Sequence, residues 1–155
     1  MRYAVALFML LTVPAAARAQ SDDEGAIQKT VEGFLARLGD HQFDTLDADF
    51  TPRAIIVVTR LRTAAGGTSE WTNSYQTAEE WLAGLKRNPN PTSFREPITK
   101  VKMTVDSDRL AYLRADFQVV REGRTVSSGV DQFTLVREPA GWKIAVIAYT
   151  SMPAK

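Results

Sequence analysis

The stretch from residue 129 to 153 carries the strongest strand pattern in the chain. Residues 130–137 and 142–151 are both rich in β-branched and aromatic side chains, which favour strands. Between them, Pro139 restricts φ and Gly141 tolerates positive φ, so a tight turn is predicted. The second arm is apolar on both faces, which is typical of a strand in the middle of a covered sheet. We therefore predict a closing hairpin near the centre of a sheet.

The remaining pattern predicts three helices and four further strands. Apolar residues at helical spacing indicate helices over 25–38 and 42–50, and a capping box at Thr77–Glu80 opens a third helix. The further strands are expected at 54–61, around 70–71, at 94–105 and at 110–121, with 125–137 as the first arm of the hairpin. The order ααββαββββ, without a repeat or linker, predicts one α+β domain.

The first nineteen residues have the features of a cleavable signal peptide. Arg2 precedes the apolar run 3–13, and Ala17-Arg18-Ala19 forms a small-residue cleavage pattern. The apolar run is too short to span a bilayer, so no membrane attachment is expected after cleavage. We predict cleavage after Ala19, a mature domain over 20–155, and a periplasmic or secreted location.

Composition narrows the possible chemistry. Residues 1–19 hold two arginines and no acid, so their removal changes the net charge from +1 to −1, and no electrostatic case for nucleic-acid binding remains. The chain has no cysteine and one histidine, His41, which argues against disulfides and against a zinc site. No glycine-rich phosphate loop is present, and no cofactor or metal is expected. His41 is expected to be a solvated residue in the turn between the first two helices.

Three pieces of the chain resemble the nuclear transport factor 2-like superfamily, which includes SnoaL-like polyketide cyclases. They are the spacing of Phe34 and Phe50 on the two helices, the run FTPRA at 50–54, and the closing hairpin with GWKIAVIAYTS. The resemblance implies a cone-shaped α+β barrel, in which a curved, mixed, mostly antiparallel sheet wraps around the N-terminal helix. The superfamily holds isomerases, dehydratases, epoxide hydrolases and non-catalytic binding domains, so this fold does not fix an activity.

Hairpin registers predict which side chains share the pocket face. If the strands pair without a bulge from the turns at 121–124 and 138–141, Arg114 lies opposite Asp131, and Asp131 lies opposite Ala148. The same face then carries an apolar half and a polar half, which is the usual form of a small-molecule site. With positions taken from the resemblance, the predicted pocket is lined by Phe34, Ile56, Val58, Tyr112, Arg114, Asp116, Asp131, Phe133, Leu135, Trp142, Ile144, Val146 and Thr150.

Known chemistries of the superfamily match only in part. The positions that correspond to the catalytic residues of ketosteroid isomerases are the apolar Phe34, Val58 and Phe133, so that activity is not expected. Limonene epoxide hydrolases carry an Arg-x-Asp that Arg114-Ala115-Asp116 matches, but the position of their second Asp falls near Ala148. Asp131 could supply that missing acid, or Arg114 and Asp131 could form only a cross-strand ion pair.

Three functions therefore remain open. The first is an exported domain that binds a small, partly apolar ligand, with Arg114 anchoring a polar or anionic group. The second is a lyase or epoxide-hydrolase-like enzyme that uses Arg114, Asp116 and Asp131. The third is a dimeric scaffold with a filled cone. A homodimer is expected because the opposite sheet face would expose the apolar residues Leu113, Phe117, Val119, Val130, Ile147 and Tyr149.

Overall fold

A curved six-stranded sheet and three helices form the domain. The computed structural model describes residues 15–64, 66–88 and 92–154, with side chains from residue 22 onward. In chain order it contains α1 (Ala15–Gly39), α2 (Phe43–Leu46), a 3-10 turn (Asp47–Asp49), β1 (Phe50–Thr63), β2 (Ser69–Thr77), α3 (Ala78–Arg87), β3 (Ile98–Asp106), β4 (Leu110–Arg121), β5 (Arg124–Glu138) and β6 (Gly141–Pro153).

The sheet order is β2-β1-β6-β5-β4-β3, and only the β1–β6 pair is parallel. The predicted α+β fold with a curved mixed sheet is confirmed. The sheet is not closed, since β2 and β3 are its two edges. The closing strand β6 lies inside the sheet, as its apolar faces predicted.

Helix α1 packs one apolar side against the concave face of the sheet. Ile27, Val31 and Phe34 are no more than 1% exposed. Asp23 accepts a hydrogen bond from Arg137 at 2.5 Å, and Asp49 accepts one from Arg37 at 2.5 Å, so both ends of the buried part are tied down. The helix begins at Ala15, ahead of the predicted cleavage position. Residues 1–14 of the predicted signal peptide lie outside the described residues, and cleavage stays a prediction.

Helix α3 begins at the predicted capping box. Thr77 accepts from the Glu80 backbone N–H, and Glu80 accepts from the Thr77 backbone N–H. The helix buries Leu82 and directs Trp81 against Phe34, with ring centroids 6.3 Å apart. Together α1 and α3 cover the open side of the curved sheet. No helix among the described residues combines the length and the apolar character that crossing a bilayer needs.

The predicted strand registers are wrong by one residue over most of their length. Arg121 lies opposite Arg124 as expected, but a bulge between Val119 and Val120 shifts the pairing, so Ala115 and not Arg114 faces Asp131. A second bulge, between Thr134 and Leu135, leaves Leu135 opposite Ile144 but places Asp131 opposite Tyr149 instead of Ala148. Since side chains alternate along a strand, a shift of one residue exchanges inner and outer faces.

This exchange also corrects the predicted dimer face. Leu113, Phe117 and Ile147 are at most 5% exposed and point into the cone, as do Val119 and Tyr149. Of the predicted set, only Val130 lies on the outer face, beside Asp116 and Thr150. The outer face has other apolar residues, because Ile55, Trp71 and Tyr75 are 46%, 51% and 71% exposed. Homodimer formation itself stays a prediction.

Candidate functional site

The wide end of the cone encloses a cavity of about 470 Å³. Its walls are mostly apolar side chains from α1, α3 and the inner face of the sheet, including Phe34, Leu38, Phe43, Leu85, Phe94, Phe117, Val119, Phe133 and Ile147. The narrow end is filled by Val31, Leu113, Leu135 and Ile144, all fully buried. The cone is therefore filled at one end and open at the other, and its open volume is in the range of small-molecule sites.

The predicted pocket residues are divided among three places. Phe34, Asp131 and Phe133 line the cavity. Ile56, Val58, Leu135, Trp142 and Ile144 are buried in the core but do not line it. Tyr112, Arg114, Asp116, Val146 and Thr150 lie on the outer face of the sheet, because the two bulges reversed their direction.

Arg114 and Asp116 belong to an ion cluster on that outer face. Asp116 lies 2.5 Å from an Arg114 guanidinium nitrogen and 3.0 Å from Lys100 Nζ. The hydrogen bond from Lys100, followed by the contact with Arg114, lowers the pKa of Asp116. Asp131 is on the opposite side of the sheet, so the three residues of the predicted lyase or hydrolase site do not meet. The prediction that Arg114 anchors a ligand in the cone is wrong for the same reason.

Asp131 reaches the cavity together with a second acid, Glu96. Glu96 belongs to an irregular segment before β3, in which Arg95 exchanges two backbone hydrogen bonds with Val120 at 2.9 and 2.8 Å. The segment also docks on the end of α1, where the Phe94 N–H donates to the Gly39 carbonyl at 3.0 Å. This path along the end of β4 brings the Glu96 carboxyl within hydrogen-bond reach of Asp131.

Burial determines the charge state of this acid pair. Asp131 is 3% exposed, and burial, with the nearby Glu96 charge and a hydrogen bond to Glu96, raises its pKa to about 9. Burial also raises the pKa of Glu96, to about 7. The two groups share protons as a pair, and near neutral pH Asp131 is the neutral member. Its Oδ2 atom is buried and has no hydrogen-bond partner among the described residues.

Tyr149 lies directly opposite Asp131 on the neighbouring strand. Burial raises the pKa of its phenol, and the Trp81 indole donates a hydrogen bond to its oxygen. The Trp81 ring also packs on Phe34 and Phe50. The inner end of the cavity thus presents the Tyr149 O–H and the acid pair of Asp131 and Glu96.

Cationic and aromatic groups lie toward the outer end of the cavity. Arg60 and Arg121 both line it, and the Arg121 guanidinium carbon is 5.7 Å from the centroid of the Phe94 ring. His41, half-buried in the turn after α1, also lines the cavity and stacks on Phe43 at 5.3 Å. His41 is in the predicted turn, but one side of it faces the cavity rather than solvent alone.

Sequence reasoning missed Glu96, Tyr149, Arg60 and Arg121. A signal for Glu96 was present, because the alternation from Phe94 to Ile98 places it between two inward apolar positions, as it does for Asp131 before Phe133. Tyr149 was noticed but placed on the wrong face by the register. Among the described residues, no three His, Cys, Asp or Glu side chains lie close enough together to hold a metal ion.

Comparisons with known proteins agree with this architecture. The family model of the SnoaL-like domain matches residues 19–148, and no curated protein gives a significant match. A nuclear transport factor 2-like protein with a cystatin-like fold from Novosphingobium aromaticivorans has a TM-score of 0.65 and 15% identity, over 88% of this chain and 86% of its own.

Two further structures from the same organism carry provisional functional assignments. One is the beta subunit of an aromatic-ring-hydroxylating dioxygenase, with a TM-score of 0.67 and 15% identity over 89% of this chain and 94% of its own. The other is a scytalone dehydratase, with a TM-score of 0.64 and 12% identity over 87% of each chain. At these identities the likeness concerns the fold alone.

Proposed function

Since the chain belongs to the SnoaL-like domain family of the nuclear transport factor 2-like superfamily, we propose that its cone binds a small, mostly apolar molecule through Asp131. The observation that carries this proposal is the buried Asp131 Oδ2, which lies at the inner end of an apolar cavity without a hydrogen-bond partner. A buried polar atom without a partner is costly, so a ligand that satisfies it gains affinity.

The chemistry of the inner end selects a ligand oxygen. When Glu96 is also protonated, one proton lies between the two acids and the other can be donated to a ligand, and the Tyr149 hydroxyl opposite Asp131 can donate a second hydrogen bond. A carbonyl oxygen can accept both, while the aromatic walls cover the rest of the molecule. We therefore expect an apolar ketone or a similar carbonyl compound to bind better than the hydrocarbon of the same shape.

A matched pair of neutral probes tests this proposal. 2-Tetralone should bind to the full chain roughly fivefold tighter than tetralin, because one net hydrogen bond contributes about 1 kcal/mol. The substitution Asp131→Leu should remove that difference, whereas Asp116→Leu on the outer face should leave it. Equal binding of the two probes by titration calorimetry, or no binding of either, would contradict the proposal.

Acid–base catalysis is the second candidate function, and the paired acids favour it. With a pKa of about 7, Glu96 can act as a base near neutral pH, and Asp131, with a pKa of about 9, can remain protonated beside it. Glu96 would take a proton from the carbon next to a bound carbonyl, and the Tyr149 O–H would stabilise the enolate oxygen. The pair Glu96 and Asp131 shares only Asp131 with the catalytic residues predicted from the sequence.

Hydrogen–deuterium exchange measures that step directly. In D₂O the protein should accelerate exchange of the α-protons of 2-tetralone, as followed by proton NMR, and Glu96→Gln should abolish the acceleration while binding persists. Glu122→Gln, at an exposed hairpin turn, serves as the matched control. An unchanged exchange rate in the Glu96→Gln protein would rule out catalysis by this pair.

Export is also a proposal, supported by the sequence pattern of residues 1–19. Expression of the full chain in a bacterium with a Sec system should yield a protein whose mass corresponds to residues 20–155 in the periplasmic fraction. A full-length mass in the cytoplasmic fraction would contradict both the cleavage position and the location.

A further inference from the structure

Two arginines at the cavity lack acidic partners. Arg60 and Arg121 both line the cavity, and neither forms an ion pair with a carboxylate of the described residues. By contrast, Arg37, Arg114 and Arg137 each pair with an aspartate at 2.5 Å. Among the described residues, the other arginines without an acidic partner lie away from the cavity, so Arg60 and Arg121 are the two that offer an unpaired charge to the open volume.

Arg121 is held by an aromatic ring instead of an anion. Its guanidinium carbon lies 5.7 Å from the Phe94 centroid, a cation–π distance, and its Nε atom is buried without a hydrogen-bond partner. Burying such a donor is unfavourable unless another group satisfies it. The guanidinium fork is well suited to a carboxylate, which accepts two parallel hydrogen bonds.

The strand registers give the spacing between Arg60 and the acid pair. Arg60 lies opposite Ser151, which lies opposite Gly129, two residues along β5 from Asp131. Two residues of a strand span about 7 Å. Arg121 lies farther away along the sheet, opposite Arg124, but it lines the same cavity as Arg60 and Asp131, so one elongated molecule can contact all three.

The charge of the cavity also favours an anion. The acid pair keeps at least one proton near neutral pH, so it carries at most one negative charge against two arginines. Arg60 is exposed, but Arg121 is half-buried against apolar walls, so its charge is screened less than it would be on the surface. An anionic group at the outer end would be stabilised by both guanidinium groups.

We propose that the ligand is an amphiphilic carboxylate, with its charged group on Arg60 and Arg121 and its apolar, carbonyl-bearing body directed toward Asp131. This inference rests on the proposed function, because it concerns the same cavity. It adds the chemical class of the ligand and replaces Arg114 by two other arginines as the anchor.

The matched probes are 6-oxo-6-phenylhexanoate and its primary amide, measured by titration calorimetry on the full chain. The acid should bind at least tenfold tighter than the amide, since charge-assisted hydrogen bonds are roughly twice as strong as neutral ones. Arg121→Gln and Arg60→Gln should each weaken the acid by roughly tenfold and leave the amide within about twofold. Arg109→Gln removes the same charge just before the other end of β4 and should change neither affinity.

The outcomes separate this inference from the proposed function. If the acid and the amide bind equally, or if Arg121→Gln and Arg60→Gln weaken both equally, the anionic class is wrong while carbonyl binding stands on the 2-tetralone result. If neither probe binds and 2-tetralone does not bind, both proposals fail together. If the Arg121→Gln protein does not fold, the Arg60→Gln result and the ratio of acid to amide affinity still decide whether the ligand is anionic.

Discussion

At the scale of single residues, Asp131 places a carboxyl group at a buried position, where a charged side chain would lose its hydration. It alternates with Phe133 and Leu135 on the inner face, and both of these neighbours are fully buried. The protein accommodates it by keeping the proton on the carboxyl and by placing Glu96 beside it. Such an arrangement costs stability at high pH, and this cost is measurable.

Stability should fall as pH rises because of Asp131. Its pKa is about 9 in the native state but about 4 in the unfolded chain, so the native state binds more protons between these values. The stability that the proton contributes is complete below pH 4 and is lost as pH rises toward 9. Glu96 has a pKa of about 7, so its contribution to the pH dependence of stability falls below pH 7. The change in stability between pH 7 and 9 is therefore due to Asp131.

Asp131→Asn should therefore flatten the stability profile in that interval. We expect the wild type to lose on the order of 1 kcal/mol per pH unit and the variant to lose much less. Chemical denaturation at pH 7, 8 and 9 measures the free energy of unfolding of both proteins. Asp116→Asn, whose carboxyl has a lowered pKa and no titration in this range, should keep the wild-type slope. Parallel slopes for wild type and Asp131→Asn would refute the raised pKa.

At the scale of elements, the segment 94–97 connects α1 to the acid pair. Gly39 ends α1 and meets the Phe94 backbone so closely that a Cβ on Gly39 would lie 2.3 Å from the Phe94 carbonyl oxygen. The neighbouring hydrogen bonds between Arg95 and Val120 then fix the direction of Glu96. A glycine outside the cavity thus positions an acid inside it.

Gly39→Ala should displace this segment and separate Glu96 from Asp131. Because backbone atoms must move, we expect a loss of roughly 1–3 kcal/mol, as for overpacked sites. The pH dependence between 5 and 7 should also shrink as Glu96 gains solvent. Gly84→Ala in α3, where an added Cβ meets nothing within 4 Å, should be stabilising by about 0.5–1 kcal/mol. Unchanged stability and pH dependence in Gly39→Ala would show that the contact does not position the segment.

The elements were predictable from the sequence, but their registers were not. Helical spacing in α1, the Thr77–Glu80 box and the strand alternation are local signals, and each element they indicate is present. The bulges leave no such trace, because Val119 and Val120 are both apolar and neither phase of the alternation is favoured. The run 144–148 in β6 is likewise apolar throughout, so the second bulge left no mark. The sequence alone placed Asp131 in the pocket, but it could not identify Glu96 and Tyr149 beside it, because their positions depend on how the strands pair.

At the scale of the whole molecule, the outer face of β1 and β2 is the exposed apolar surface. Trp71 lies opposite Leu61, and Tyr75 lies opposite Val57, so their side chains share the face that points away from the cone. Monomeric proteins seldom expose several large apolar side chains together, and such surfaces often bind a second protein. The predicted homodimer would use these residues and not those first assigned to the interface.

Tyr75→Glu tests that assembly. Light scattering should give twice the mass of one chain for the wild type and the mass of a single chain for the variant, because a buried unpaired carboxylate opposes association. Gln76→Glu adds the same charge on the opposite face of β2 and should leave the dimer intact. A wild type that has the mass of one chain at micromolar concentration would contradict the homodimer.

The bulge between Val119 and Val120 has a consequence for how this site can change during evolution. It sits at one end of the β4–β5 pair, so it sets which side of the sheet every earlier β4 residue faces relative to β5. Losing one codon there would turn Ala115 and Phe117 outward and Arg114 and Asp116 inward without altering any other amino acid. The chain thus carries two alternative pocket linings on the same strand. We expect insertions and deletions in this hairpin to change ligand preference among relatives more abruptly than point substitutions in the cavity.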